Sequence, residues 1–210
     1  MNRLPRLFLG IFATFAFAWL GLVIYPYLHL GRLQPYEKSD EAFPPPLSEA
    51  ARAGQRVYAA NGCVYCHSQQ IRQPYATESD LARGWGSRPT VARDYLREKP
   101  TFLGTMRTGP DLSNAGKRLA DPVWHYQHLF APAEMVPGSV MPSFRYLFRV
   151  QKIGNAPSPD AVPVSGPHAP PADYEVIPTA EARTLVAYLL SLKHEYPLPE
   201  AAPPELTEGR

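Results

Sequence analysis

The two cysteines of the chain, Cys63 and Cys66, stand three positions apart, and His67 follows the second directly. A Cys-x-x-Cys-His run is the attachment signature of a c-type haem. The spacing has a chemical reason. Two thiols so placed can add to the two vinyl groups of one haem, and the adjacent imidazole then reaches the iron from one face, where a proximal histidine is the usual ligand. The rest of the chain is organised around this run.

Three other uses of a cysteine pair compete: a thioredoxin-like redox pair, half of a zinc site, or a plain disulfide. A zinc site needs about four ligands, and there is no second cysteine pair; among the other histidines only His125 and His128 lie close together. A thioredoxin pair belongs in a βαβ pattern, which is missing. A disulfide across so short a span closes a very small loop and constrains little.

The second constraint lies upstream. Residues 7–30 carry no formal charge; as a helix they span about 36 Å, enough for a hydrocarbon core of roughly 30 Å. Tyr25, Tyr27 and His29 suit its interfacial end, and Arg3 and Arg6 before the run predict a cytoplasmic N-terminus. A cleaved signal peptide is the alternative, with Ala16-Phe17-Ala18 as its site, but the run continues well past that point. On either reading the cysteines face an extracytoplasmic compartment, and an uncleaved anchor across a bacterial inner membrane makes the lipid bilayer a partner.

Charge excludes one class of partner. Of 21 basic residues, Arg3 and Arg6 precede the apolar run; the other 19 equal the 19 acidic ones. Nucleic acid binding needs a concentrated basic surface, so none is expected.

The remaining elements predict an all-α fold with many loops, as 25 prolines suggest. Residues 1–30 form the anchor and 31–46 a proline-containing tether that favours extended backbone. The domain proper is expected over 47–196. Ser48 caps a helix to about Ala60, with Ala50, Ala53, Val57 and Tyr58 at helical spacing. Asp94, Tyr95 and Leu96 suit a short helix. Arg72, Arg83, Arg88, Arg93 and Arg97 form no stripe, and a solvated, cofactor-facing or docking role is open for each. Asp121-Pro122 opens a helix to about Phe130 that carries His125 and His128 as alternative iron ligands. Met106, Met135 and Met141 are the thioether candidates. Residues 151–178 read as a proline-rich, irregular surface insertion. Thr179 caps a last helix to about His194 with an apolar stripe of Leu185, Tyr188, Leu189 and Leu192, and 197–210 reads as a loose tail.

A helix leading into Cys-x-x-Cys-His resembles the start of a class I cytochrome c. The likeness extends further. Gly-Cys-Val-Tyr-Cys-His-Ser-Gln-Gln-Ile-Arg at 62–72, Arg-Thr-Gly-Pro-Asp-Leu at 107–112, Trp124-His125 with His128-Leu129, and Val-Pro-Gly-Ser-Val-Met-Pro at 136–142 resemble, in order, segments of the monohaem subunit II of C-type (cbb3-type) haem–copper oxidases. Residues 73–105 and 151–178 carry no such match. The resemblance implies one covalently attached haem c on Cys63 and Cys66. It further implies iron ligation by His67 and Met141, a Pro110 carbonyl holding the His67 ring, and Arg107 near the cofactor. The implied role is electron relay between another cytochrome c and a membrane-embedded haem–copper catalytic subunit, the subunit itself not reducing oxygen. A free-standing tethered shuttle, or electron entry to another reductase, is the alternative.

Overall fold

The computed structural model describes residues 3–73 and 80–201. Its first element, α1, runs from Leu4 to Leu30, 27 residues that are strongly apolar and include none that is buried against the rest of the chain. At 1.5 Å per residue it is about 40 Å long, enough by length and composition to cross a bilayer. The helix starts three residues before the charge-free run and takes Arg6 into its first turns. Leu20–Ile24 form a wider π turn, with the Tyr25 N–H reaching back to the Leu20 carbonyl. Pro26 explains it: proline has no N–H, and its ring collides with the carbonyl four residues earlier, so the ladder loosens there.

Residues after α1 fold into a hairpin. Strands β1 (Tyr36–Lys38) and β2 (Glu41–Phe43) pair antiparallel around Ser39 and Asp40, whose φ values of 51° and 66° are both left-handed. Positive φ at both central residues matches the twist of a tight hairpin. The hairpin is fastened to the domain. Arg97 donates from Nε to the Pro44 carbonyl at 2.7 Å, and Phe43 stacks on Tyr196 at 5.3 Å.

Two crossing helices form the centre. The Ser48 hydroxyl accepts the Ala51 N–H and opens α2 (Glu49–Ala60). Pro122–Phe130 forms α3, capped by Asp121. Thr179 likewise caps α4 (Ala180–Ser191), which stops short of the expected His194. Ala51, Gly54 and Tyr58 of α2 face Ala182, Leu185, Tyr188 and Leu189 of α4, all buried. Glycine is required at 54, because a Cβ there would lie 1.8 Å from the Thr184 carbonyl oxygen. The backbones touch. Tyr58 and Tyr188 then meet edge to face at 5.4 Å, and Phe102, Leu129, Phe130, Phe144, Leu147 and Phe148 complete the core.

The all-α expectation holds only roughly, because strands occur in two places. Besides the hairpin, β3 (Phe148–Lys152) pairs antiparallel with β4 (Tyr174–Pro178). Residues 151–178, expected to be an irregular excursion, therefore begin and end in a ladder. Val176 and Ile177 are buried, and Val162 bridges to Val176 from the intervening loop. Five-residue strands beside proline-rich text leave too little alternation to be seen in sequence. Leu198 and Ala201 are buried as well, so the described start of the tail packs rather than hangs loose; residues 202–210 of that tail lie outside the described residues.

Candidate functional site

Around the Cys-x-x-Cys-His run, local geometry is set by hydrogen bonds to the segment 109–112. Gly62, with φ of 66°, ends α2 and turns the chain into a short 3-10 turn, Cys63–Tyr65. The Gly109 N–H then donates to the Cys66 carbonyl at 2.9 Å and the Leu112 N–H to the Ser68 carbonyl at 2.8 Å. Gly109 lies flat on the His67 ring: a Cβ there would come within 2.3 Å of Cε1. Only glycine leaves that ring where it is.

His67 Nδ1 lies 2.8 Å from the Pro110 carbonyl oxygen. A carbonyl can only accept, so Nδ1 carries the proton and the Nε2 lone pair is free for a metal. Burial also lowers the pKa of His67, against the Pro110 bond and the Asp111 charge, favouring the neutral ring. A neutral imidazole is the form that ligates.

His67 opens into a cavity lined mostly by apolar atoms, with Cys63, Pro110 and Leu112 beside it and Met141, Leu185 and Leu189 also in its wall. Met141 is the methionine among these lining residues; Met106 is exposed and Met135 is not in the wall. The Met141 N–H donates to Ser139 Oγ at 3.3 Å within the loop. Cys63 and Cys66 are both free thiols, the first half-buried and the second exposed. Burial pushes the Cys63 thiol up to about 11, the opposite of the lowered value a redox-active thiolate needs.

Arg118, Trp124, His125 and His128 also line the cavity. His125 Nε2 donates to the Leu119 carbonyl at 2.8 Å, which commits that nitrogen. His128 stacks on Trp124 at 4.7 Å, its Nδ1 is buried without a hydrogen-bonding partner, and burial pushes its pKa down to about 4. The structure thus brings Cys63, His67, Pro110 and Met141 together.

Arg107 is placed elsewhere. It is not in the cavity wall; its Nε donates to Ser68 Oγ at 2.8 Å, and its two amino groups go to the Asp80 carboxylate and to the Gln70 carbonyl. Beside it, the buried Asp111 carboxylate accepts from Ser68 Oγ at 2.6 Å, Gln70 N–H at 2.7 Å and Ser113 N–H at 2.8 Å. These bonds brace the loop behind His67. Asp80 and Arg118 carry no signal in the sequence, and Gly109 and Asp111 carry one only as neighbours of Pro110.

An imidazole with a free lone pair, a thioether and a thiol at one apolar cavity form the donor set of a haem protein, and the residues present fit such a group. The family comparison agrees. Residues 4–162 match the family described as cytochrome c oxidase, mono-heme subunit/FixO, and the chain belongs to it. Membership implies a haem cofactor and a place in an oxidase complex, and α1 fits a single-pass membrane protein. A comparison with curated proteins gave no match.

Proposed function

We infer that this subunit carries one haem c, joined to Cys63 and Cys66 with His67 and Met141 as axial ligands, and relays single electrons to the catalytic haem–copper subunit of a respiratory oxidase. Bound there, the haem supplies a one-electron ferric/ferrous couple whose potential a methionine ligand raises. The chain's own residues do the rest. Pro110 holds the His67 ring and fixes its tautomer, Gly109 gives that ring room, and the apolar wall from Leu112 to Leu189 excludes water. With His67 and Met141 both given to the iron, the chain would leave no ligand position for oxygen. Another cytochrome c is the donor or a sister subunit, and the domain faces the periplasm with the N-terminus in the cytoplasm.

The carrying observation is that Cys63, His67 and Met141, 78 positions apart from first to last (141 − 63), line one cavity. Two measurements test it. Denatured protein should keep its haem colour, and lose it when Cys63 and Cys66 are both replaced by alanine. Met141→Ala should keep the covalent haem but convert it to a form that binds added carbon monoxide, whereas Met135→Leu should leave the spectrum as it was. An unchanged spectrum in Met141→Ala would remove Met141 as ligand, and purification in mild detergent without an oxidase core would favour the free shuttle.

A further inference from the structure

A buried polar cluster lies between α2, α4 and the stretch 94–103. Tyr188 of α4 donates its hydroxyl to Gln69 Oε1 at 3.1 Å, and Tyr95 donates to the Gln69 carbonyl at 2.9 Å. Glu98 follows Tyr95 by three residues, its N–H on the Tyr95 carbonyl at 3.0 Å. Its carboxylate lies 3.6 Å from His194 Nε2, and the two side chains are 8 % and 9 % exposed. Among the described residues, Glu98 Oε2, His194 Nδ1, the Tyr58 hydroxyl and Gln69 Nε2 are buried without a hydrogen-bonding partner. The cluster reaches the cavity. Tyr58, whose ring packs on Phe102 and on Tyr188 at 5.4 Å each, stands in the wall that also holds Cys63 and His67.

A carboxylate with a bare oxygen in such a place is costly as an anion. The titratable groups that face it from each neighbouring element are otherwise committed. On its own segment Asp94 pairs with Arg88. Burial raises the pKa of the phenols of Tyr58, Tyr95, Tyr188 and Tyr196 and lowers that of His194, which favours the neutral form of all five. Asp111, whose charge reaches His194, is held by Ser68, Gln70 and Ser113. Glu98 is the group left to titrate near neutral pH. Burial raises its pKa to about 7, with Asp94 adding to the shift and the Phe102 backbone opposing it.

We propose that Glu98 is a redox-linked proton acceptor, taking up a proton when the haem is reduced and releasing it when the haem is oxidised. This rests on the haem reading above. One added electron removes one positive charge from the iron, and an anionic carboxylate nearby is then less favoured. The fraction of Glu98 that holds a proton therefore rises on reduction. That proton is drawn from solvent, to which the Glu98–His194 pair is not fully closed, and returns there when the electron leaves. By reciprocity, the factor by which reduction raises the proton affinity of Glu98 equals the factor by which protonation favours ferrous iron. Across the intervening Tyr58 and Phe102 that factor should be about threefold. The wild-type potential should fall as pH rises through about 6–8, where Glu98 ionises.

The experiment is a potentiometric titration of the full-length, haem-loaded chain in detergent between pH 5 and 9, wild type against Glu98→Gln. At pH 9 and a fixed poise the wild type should show a ferric-to-ferrous ratio about threefold above the variant, equivalent to a potential lower by about 28 mV for one electron. At pH 5 the two should coincide. Every other titrating group, the haem carboxylates included, is common to both proteins, so the difference between the curves isolates Glu98. If Glu98→Gln does not fold, the wild type decides alone. Its reduced-minus-oxidised infrared spectrum should gain a protonated-carboxyl band at pH 7 and none at pH 9. Two curves whose separation does not change with pH, or a wild-type spectrum without that band, would overturn the assignment while leaving the haem reading intact. A wild-type protein without haem after denaturation would overturn that reading instead.

Discussion

Where α2 crosses α4 the protein is held by apolar contact, whereas across residues 68–111 it is held by buried charge. The crossing has Gly54 against backbone and Tyr58 on Tyr188, with Leu185 and Val186 almost wholly buried. Among its described residues the loop region lends Ile71 and Phe102 to the apolar core, but its own turns are tied mainly by polar contacts. It has Arg107 on Asp80, the Asp111 carboxylate gathering Ser68, Gln70 and Ser113, and a fork of Arg88 on Asp94 at 2.9 and 2.8 Å. Arg88 also donates to the Tyr196 carbonyl, which links this region to the C-terminal segment. The difference matters for the site, because His67 is approached from the core on one side and braced by the ionic loop on the other. Apolar packing tolerates small losses, while a buried ion pair does not tolerate losing one partner.

The sharpest way to break this comparison is to remove one group from each region. Asp94→Ala leaves Arg88, with a side chain only 3 % exposed, without its counter-charge. The expected loss is about 3–5 kcal/mol, seen as a collapse of the denaturant midpoint in detergent. Leu185→Ala opens a cavity at the crossing and should cost about 3 kcal/mol. If Asp94→Ala costs under about 1 kcal/mol, the range for a surface pair, then the loop is not held by buried charge.

Legibility in the sequence follows the same division. Ser48, Thr179 and Asp121 announced their helices through capping chemistry, and the α4 stripe announced its buried face through periodicity. Cys63, Cys66 and His67 were visible because spacing alone carries their chemistry. The arginines of 72–97 were not legible, since an ion pair such as Arg88–Asp94 has no period and its partner could be any acid in the chain. Arg93 illustrates this: it reaches Glu200, far along the sequence, and the Gln34 carbonyl. Arg118 was invisible for the same reason, having neither motif nor period. Strands β3 and β4 were hidden by their shortness and by the prolines between them.

A weaker effect tests the ionic side through pH. Glu98 lies buried, 3.6 Å from His194 Nε2, and its Oε2 has no hydrogen-bonding partner. Burial, with the Asp94 charge adding, raises its pKa from 4.5 to about 7, against the Phe102 backbone bond. The folded state therefore holds a proton that the unfolded state has released between about pH 4.5 and 7, so stability falls as pH rises through that window. Burial lowers His194 at the same time, which also disfavours charging the pair. Glu98→Gln keeps the shape without the charge. At pH 8 it should be more stable than wild type by roughly 1–3 kcal/mol, and at pH 4 no different. A stabilisation equal at both pH values would show that the gain is packing, not charge.

The smallest expected effects compare the two capped helices. The Ser48 hydroxyl accepts one bond, from Ala51 N–H at 3.1 Å. Thr179 accepts from Ala182 N–H at 3.3 Å and also donates to the Leu147 carbonyl at 2.8 Å, which ties α4 to the turn before β3. Ser48→Ala should cost about 1 kcal/mol and Thr179→Ala about 2 kcal/mol, because the second also leaves a carbonyl with one partner fewer. Thermal unfolding of the two variants under one condition measures the difference. Equal losses would mean that the hydroxyl bond to Leu147 adds nothing to the Thr179 backbone N–H bond, 3.0 Å from the same carbonyl, which the substitution leaves in place.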